Sequence, residues 1–339
     1  MRIRAILAGI VVVIATSATP ALAQRFPFDR SFDVTGPSTL DVSTIRGKID
    51  IVAGKPGRII VTGVVTVRVA WDVPANALEL AQQVAAAPPV ERDRDTIRLR
   101  PPSDTAAQRA VTVSYQVQVP PNTEVRATSD SGATTVRGVT APVDVRTQSG
   151  AIDLGSLAGV VSVSSGSGAV TIDGVEGALT VTTVSSAFAG SGLGSSLRVR
   201  TQSGEVDAAF TGAGDVVVET GSSAIRLRGV RGGLTAKTQS GRVSVQGVPG
   251  RLWTATSGSS SVEMDVGKGA AFSIDARSRS GSVNVEGDTV QGSVAKRHVT
   301  GTVNGGGPLV QINSGSGAIR IRTAVDHALR RRSRRTSFA

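Results

Sequence analysis

The sequence predicts an all-β fold: a single-stranded parallel β-solenoid of about 18-residue coils, with an N-terminal β-rich cap containing one helix. Three observations lead there. A Ser-Gly step recurs with anchors at Gly132, Gly150, Gly168, Ser186, Gly204, Ser223, Gly241, Ser259, Gly281, Gly301 and Gly317, at intervals of 16 to 22 residues that are mostly 18. Seven positions before each anchor stands an aliphatic residue, from Val125, Val143 and Val161 through Leu252 and Ile274 to Val294 and Val310. Five before (Val145, Val163, Val181) and two after (Ile152, Val170, Phe188) are also mostly apolar, with small or polar residues between, so the period is two and not helical.

Taken in order, the chain opens with basic Met1–Arg4, an apolar run from Ala5 to Ala15, and Ala21-Leu22-Ala23 before Gln24. That order predicts a secretory signal peptide at residues 1–23, cleaved after Ala23. The apolar run is too short for the ~20 residues that span a bilayer, and Gln24 in place of Cys argues against a lipid anchor at the cut. Residues 24–124 read as the cap and first coils. Strand-like runs lie at 38–52, 58–69, 96–100 and 111–119, and one helix lies between Pro74 and Ala87. Leu40-x-Val42 and Ile49-x-Ile51 around Gly47 resemble one more coil. Residues 125–325 are the solenoid, and residues 326–339 a basic, disordered tail.

A coil of 18 residues at ~3.3 Å each has a perimeter of roughly 60 Å, which fits two strands on opposite faces joined by tight turns. No coil can bury its aliphatic residues alone; stacking at ~4.8 Å buries them and gives a rod about 50 Å long. A β-sandwich is the competing architecture, but it calls for hairpin signals and not one motif with fixed columns. Three positions before the anchors runs a hydroxyl column, including Thr147, Ser165, Thr183, Thr201, Thr220, Thr238 and Thr256, broken by His298. It could make an ice-binding face, yet it shares the parity of the two apolar columns, which predicts an interior ladder.

Composition excludes several functions. The chain has no Cys and only His298 and His327, so disulfides, thiolate zinc sites, a thiol nucleophile and His-based triads are out. No cofactor or metal is expected: phosphate loops, nucleotide fingerprints and calcium-binding nonapeptides are missing. Aromatic residues make up 3%, too few for a stacking platform, which together with export argues against nucleic acid. Of the formal charge of +11, two arginines lie in the leader and a net +4 in the tail, leaving about +5 on the body. The tail is either an arm drawn to anionic lipid or a solubilising end.

The repeated motif Val-x-Thr-x-Ser-Gly-x-Val-x-x-x-Gly-Val-x-Gly, clearest at Val145 to Gly159 and Val163 to Gly177, and the Val119-Pro120 step before the first repeats resemble the adhesin-like β-strand-repeat family of exported bacterial proteins, a domain of unknown function. The likeness covers roughly residues 30–322. It implies architecture and export, and it brings no catalytic motif.

Two sets of residues could carry chemistry. Glu205 and Asp207 point the same way on one strand, with Cα atoms ~6.6 Å apart, a spacing usable in glycoside hydrolysis. Arg226 stands in the Asp207 column one coil later, which equally suits an ion pair on a wet face. The second set is basic and of outward parity. Four before the anchor stand Arg146, Arg200, Lys237, Arg277 and Arg297, and two before stand Gln148, Gln202, Gln239 and Arg279. Stacked in register, they form a stripe with gaps of ~10–14 Å, suited to an anionic polysaccharide or envelope surface; the plainer reading is a solvated face whose charges discourage aggregation. The expected role is a non-catalytic exported scaffold or adhesin-like module, periplasmic or at the cell surface. A polysaccharide-active β-helix enzyme using Glu205 and Asp207 is the alternative.

Overall fold

The computed structural model describes residues 24–325. The leader and the basic tail read from the sequence lie outside those residues.

The chain winds as its columns require. Strand Val143–Thr147 runs along one face, the chain turns at Gly150, and Ile152–Leu157 returns on the other. Each strand pairs in parallel with its counterpart 18 residues on: Val143 with Val161, Val145 with Val163, Ile152 with Val170. Among the described residues repetition builds a first sheet of 15 strands, which includes Val143–Thr147, and a second of 14, which includes Ile152–Leu157. Leu40, Val42, Ile49 and Ile51 form the first winding, with Thr39–Thr44 paired to Glu124–Ser129 and Ile49–Ala53 to Thr134–Arg137.

The core is the gap between the sheets. Val143, Val161, Leu179, Leu197 and Val216 are at most 2% exposed, and so are Ile152, Val170, Phe188 and Val206 opposite them. Each such burial contributes roughly 1.5–3 kcal/mol, which aliphatic side chains supply without aromatics. Where a ring does enter, its neighbour shrinks: a Cβ on Gly190 would lie 2.8 Å from Phe188 Cζ.

The hydroxyl column is internal, as its parity required. Thr147, Ser165, Thr183 and Thr201 are buried. Their bonds, however, mostly close the corner of their own winding instead of running along the stack. Gly150 N–H donates to Thr147 Oγ1, and Gly204 N–H to Thr201 Oγ1, both at 2.9 Å.

The N-terminal end is covered. Arg25–Asp33, Arg58–Val67 and Val111–Val119 extend the second sheet, and Thr96–Leu99 and Val90–Asp93 extend the first. The strand Arg25–Asp33 was not expected. Two helices are present and not one: Ala77–Ala86, which buries Ala77 and Ala81, and Thr105–Ala110, capped by Asp104 accepting from Ala106 and Ala107 N–H. In the same region Arg100 pairs with Asp41 and holds its carboxyl below the usual carboxylate range despite partial burial. Burial pushes the Tyr115 phenol up, and its hydroxyl donates to Arg100 O at 3.0 Å.

The C-terminal third departs from the expected order. Nineteen residues separate Thr238 from Ser257, so Trp253, not Leu252, takes the inward place beside Leu234, and Ser257, not Thr256, joins the hydroxyl column. The extra residue lies in the turn at 247–252 and flips the parity of the next strand. Leu252 is left 52% exposed, while Trp253 is fully buried and donates its Nε1–H to Gly232 O at 2.9 Å. Windings also do not stack in sequence. Strands Leu309–Ser314 and Ile319–Val325 insert between the winding of Trp253–Ser257 and Val262–Gly267 and that of Phe272–Ser278 and Val283–Glu286. The supposed turn at Gly301 is no coil. Val290–Ala295 and His298–Val303 form an antiparallel hairpin on the end of the first sheet, and Val294 is 65% exposed.

Candidate functional site

The outward residues of the first sheet fall in rows because the register is constant. One row reads Arg146, Ser164, Thr182, Arg200, Glu219, Lys237, Thr256, Asn313, Arg277. Four of the five arginine and lysine positions chosen from the sequence therefore share a line. The inserted winding puts three steps, ~14 Å, between Lys237 and Arg277, not two. Arg297 is off the row. It sits in the hairpin turn, and its guanidinium donates to Arg279 O at 3.4 Å. Gln148, Gln202 and Gln239 follow the ends of their strands in a parallel row, with Gly166, Val184 and Gly221 between them, and Arg279 continues it after two more glycines.

Acids that the column reading overlooked sit against these cations. Asp144 meets Arg146 at 2.7 Å, Glu219 meets Arg200 at 3.2 Å, and Asp275 meets Arg277 at 3.0 Å. His298 Nε2 adds a fourth group, 3.1 Å from Asp275. All three arginines keep at least 60% of their side-chain surface in water, so each pair is weak and screened and its cation can be shared with a ligand. Among the described residues Lys237, Arg279 and Arg198 make no ion pair. Arg198 lies one row over from Arg200 and was missed. The signal was available, since its position six before the anchor has the same outward parity.

Glu205 and Asp207 are brought together on the second sheet, but each is held by an arginine of the next winding. Arg226 is Asp207's ladder neighbour, yet its guanidinium pairs with Glu205, and Arg228 reaches Asp207 at 2.6 Å. All four side chains are at least a third exposed. Among the described residues no third acid joins them: Ala189 stands beside Asp207 on the other side. Among the described residues no group of three or more His, Asp or Glu could hold a metal ion, and no helix is long and apolar enough to cross a membrane. An open depression of about 480 Å³, lined by Lys55, Arg58, Ile60 and Gln118, lies at the N-terminal end, away from both sets.

A family model described as Toastrack DUF4097 matches residues 90–322. No curated protein matches the chain. Among solved structures, a candidate cell adhesion protein from Clostridium sporogenes ATCC 15579 aligns over 87% of this chain and 99% of its own, at 14% identity and a TM-score of 0.20.

Proposed function

The chain belongs to the Toastrack DUF4097 family, and on that premise we propose that it is a non-catalytic, exported rod, serving the cell envelope as a scaffold or adhesin-like module and holding an anionic polysaccharide along its first sheet. One observation supports the ligand class: Arg146, Arg200, Lys237 and Arg277 lie in a single ladder row beside the glutamine row. A polymer lying along the rod meets a cation every ~10–14 Å, with amides and hydroxyls between to accept and donate to sugar oxygens.

Retention of the protein on an immobilised uronate polymer at low salt tests this. Replacing Arg146, Arg200, Lys237 and Arg277 by Ser should bring elution forward and flatten its dependence on salt. The pair Arg198→Ser/Lys237→Ser should act more strongly than Arg146→Ser/Arg277→Ser, because among the described residues the first two cations make no ion pair. Unchanged retention in the fourfold variant sinks the ligand assignment. Release of reducing ends from the polymer that is lost in Glu205→Gln would overturn the non-catalytic reading.

A further inference from the structure

We propose that the strand Val290–Ala295 is a pairing edge for a second copy of this chain, joining two rods end to end. The proposal comes from the four sheet edges and does not depend on the glycan reading.

A sheet edge invites pairing unless charge, proline or shortness blunts it. Three of the four edges here are blunted. Arg25–Asp33 carries Pro27 and four charges, Val90–Asp93 has Glu91, Arg92 and Asp93 in four residues, and Val283–Glu286 is four residues long with Glu286 tied to Arg320 and Arg322. The fourth, Val-Gln-Gly-Ser-Val-Ala, has six residues, no charge and no proline, and all but Val290 are exposed. Among the described residues no strand pairs with its outer side. It also projects: its hairpin carries the first sheet two strands, about 10 Å, past the winding that ends the second sheet. Its inner strand buries Val299 and Val303 and pairs with Phe272–Ser278, while the outer strand has a partner on one side alone and gains from a second.

The geometry points to self-pairing. The two-residue turn Lys296-Arg297 makes Ala295 and His298 the hydrogen-bonded closing pair, so the amides of Val290, Gly292 and Val294 face outward. Antiparallel pairing of two copies about a two-fold axis at Gly292 uses all three. It sets Val290 of one copy opposite Val294 of the other. It also sets Asp288 opposite Lys296, so the flanking charges are complementary at both ends.

Sedimentation equilibrium of the full chain over a wide concentration range tests the edge. The wild type should form a dimer. Val294→Lys, at an exposed position where folding is not at stake, should weaken it by roughly tenfold or more by charging the edge. Lys296→Glu should weaken it by roughly two- to fivefold, with recovery in Asp288→Lys/Lys296→Glu. A dimer that ignores Val294→Lys overturns the proposal, as does a monomer at every concentration. So does a monomer whose Val290, Gly292 and Val294 amides resist hydrogen exchange, since the chain's own remaining residues would then cover the edge.

Discussion

At the corner of each winding the anchor glycine meets the carbonyl of the winding before it. A Cβ on Gly150 would lie 2.0 Å from Gly132 O, and one on Gly168 would lie 1.9 Å from Gly150 O. Backbone cannot step aside as a flexible side chain can. Three anchors of the series are serines, Ser186, Ser223 and Ser259. Two successive amides share one carbonyl after Ser186 and Ser223, at Val184 O and Gly221 O, and also after Gly204, at Gln202 O, so the shared carbonyl is not set by a Cβ on the anchor. Gly150→Ala should push its corner off the winding before it, at a cost of roughly 1–3 kcal/mol. Gly36, with nothing within 4 Å of a Cβ, is the control. Gly36→Ala should stay within about 0.5 kcal/mol of wild type. Urea midpoints measure both, and equal midpoints would mean that the carbonyl contact is not what selects glycine.

The corner as an element depends on which hydroxyl it can use. Thr147 Oγ1 accepts from Gly150 N–H, whereas Thr220 Oγ1 is buried with no partner, its anchor Ser223 bonding instead to Ser203 O. Valine has nearly the same shape as threonine and no hydroxyl. Thr147→Val leaves a buried N–H unmet and should cost about 1–3 kcal/mol. Thr220→Val removes an orphan and should be neutral or stabilising. Thermal unfolding of the two variants decides; equal losses would show that the column acts by packing alone. These corners were legible in the sequence because period-two parity is strict: one register error would turn every inward side chain outward. The same strictness explains the misses. One extra residue in the turn at 247–252 placed Leu252, aliphatic and in the counted position, beside Trp253, and counting alone could not tell which faced inward. Asp144, Glu219 and Asp275 share the outward parity of the basic stripe, but whether an acid two residues away or one winding away takes up a given arginine depends on side-chain reach, which column spacing does not encode.

For the whole molecule, chain order and spatial order agree from the first winding to Trp253–Ser257 and then part. The last segment of the described chain fills a slot between two earlier windings, with Val310, Ile312, Ile319 and Ile321 fully buried there. Nothing in a repeat read by its columns reveals this, because every winding presents the same rows to either neighbour. The consequence is a C-terminal end whose parts depend on one another. In a rod stacked in sequence, each terminal winding could be removed at the cost of one interface. Here, ending the chain after Pro308 leaves Trp253–Ser257 and Phe272–Ser278 with no strand between them, and the hairpin at 290–303 hangs on a winding detached from the core. Hydrogen exchange should find residues 272–303 unprotected in that truncated chain and the windings at 124–210 protected as in the intact one, while a chain ending after Val325 should keep protection throughout. Protected amides at 272–278 in the shorter chain would instead mean that the two windings close the gap and stack in sequence, and the insertion would then not be what holds the C-terminal end together.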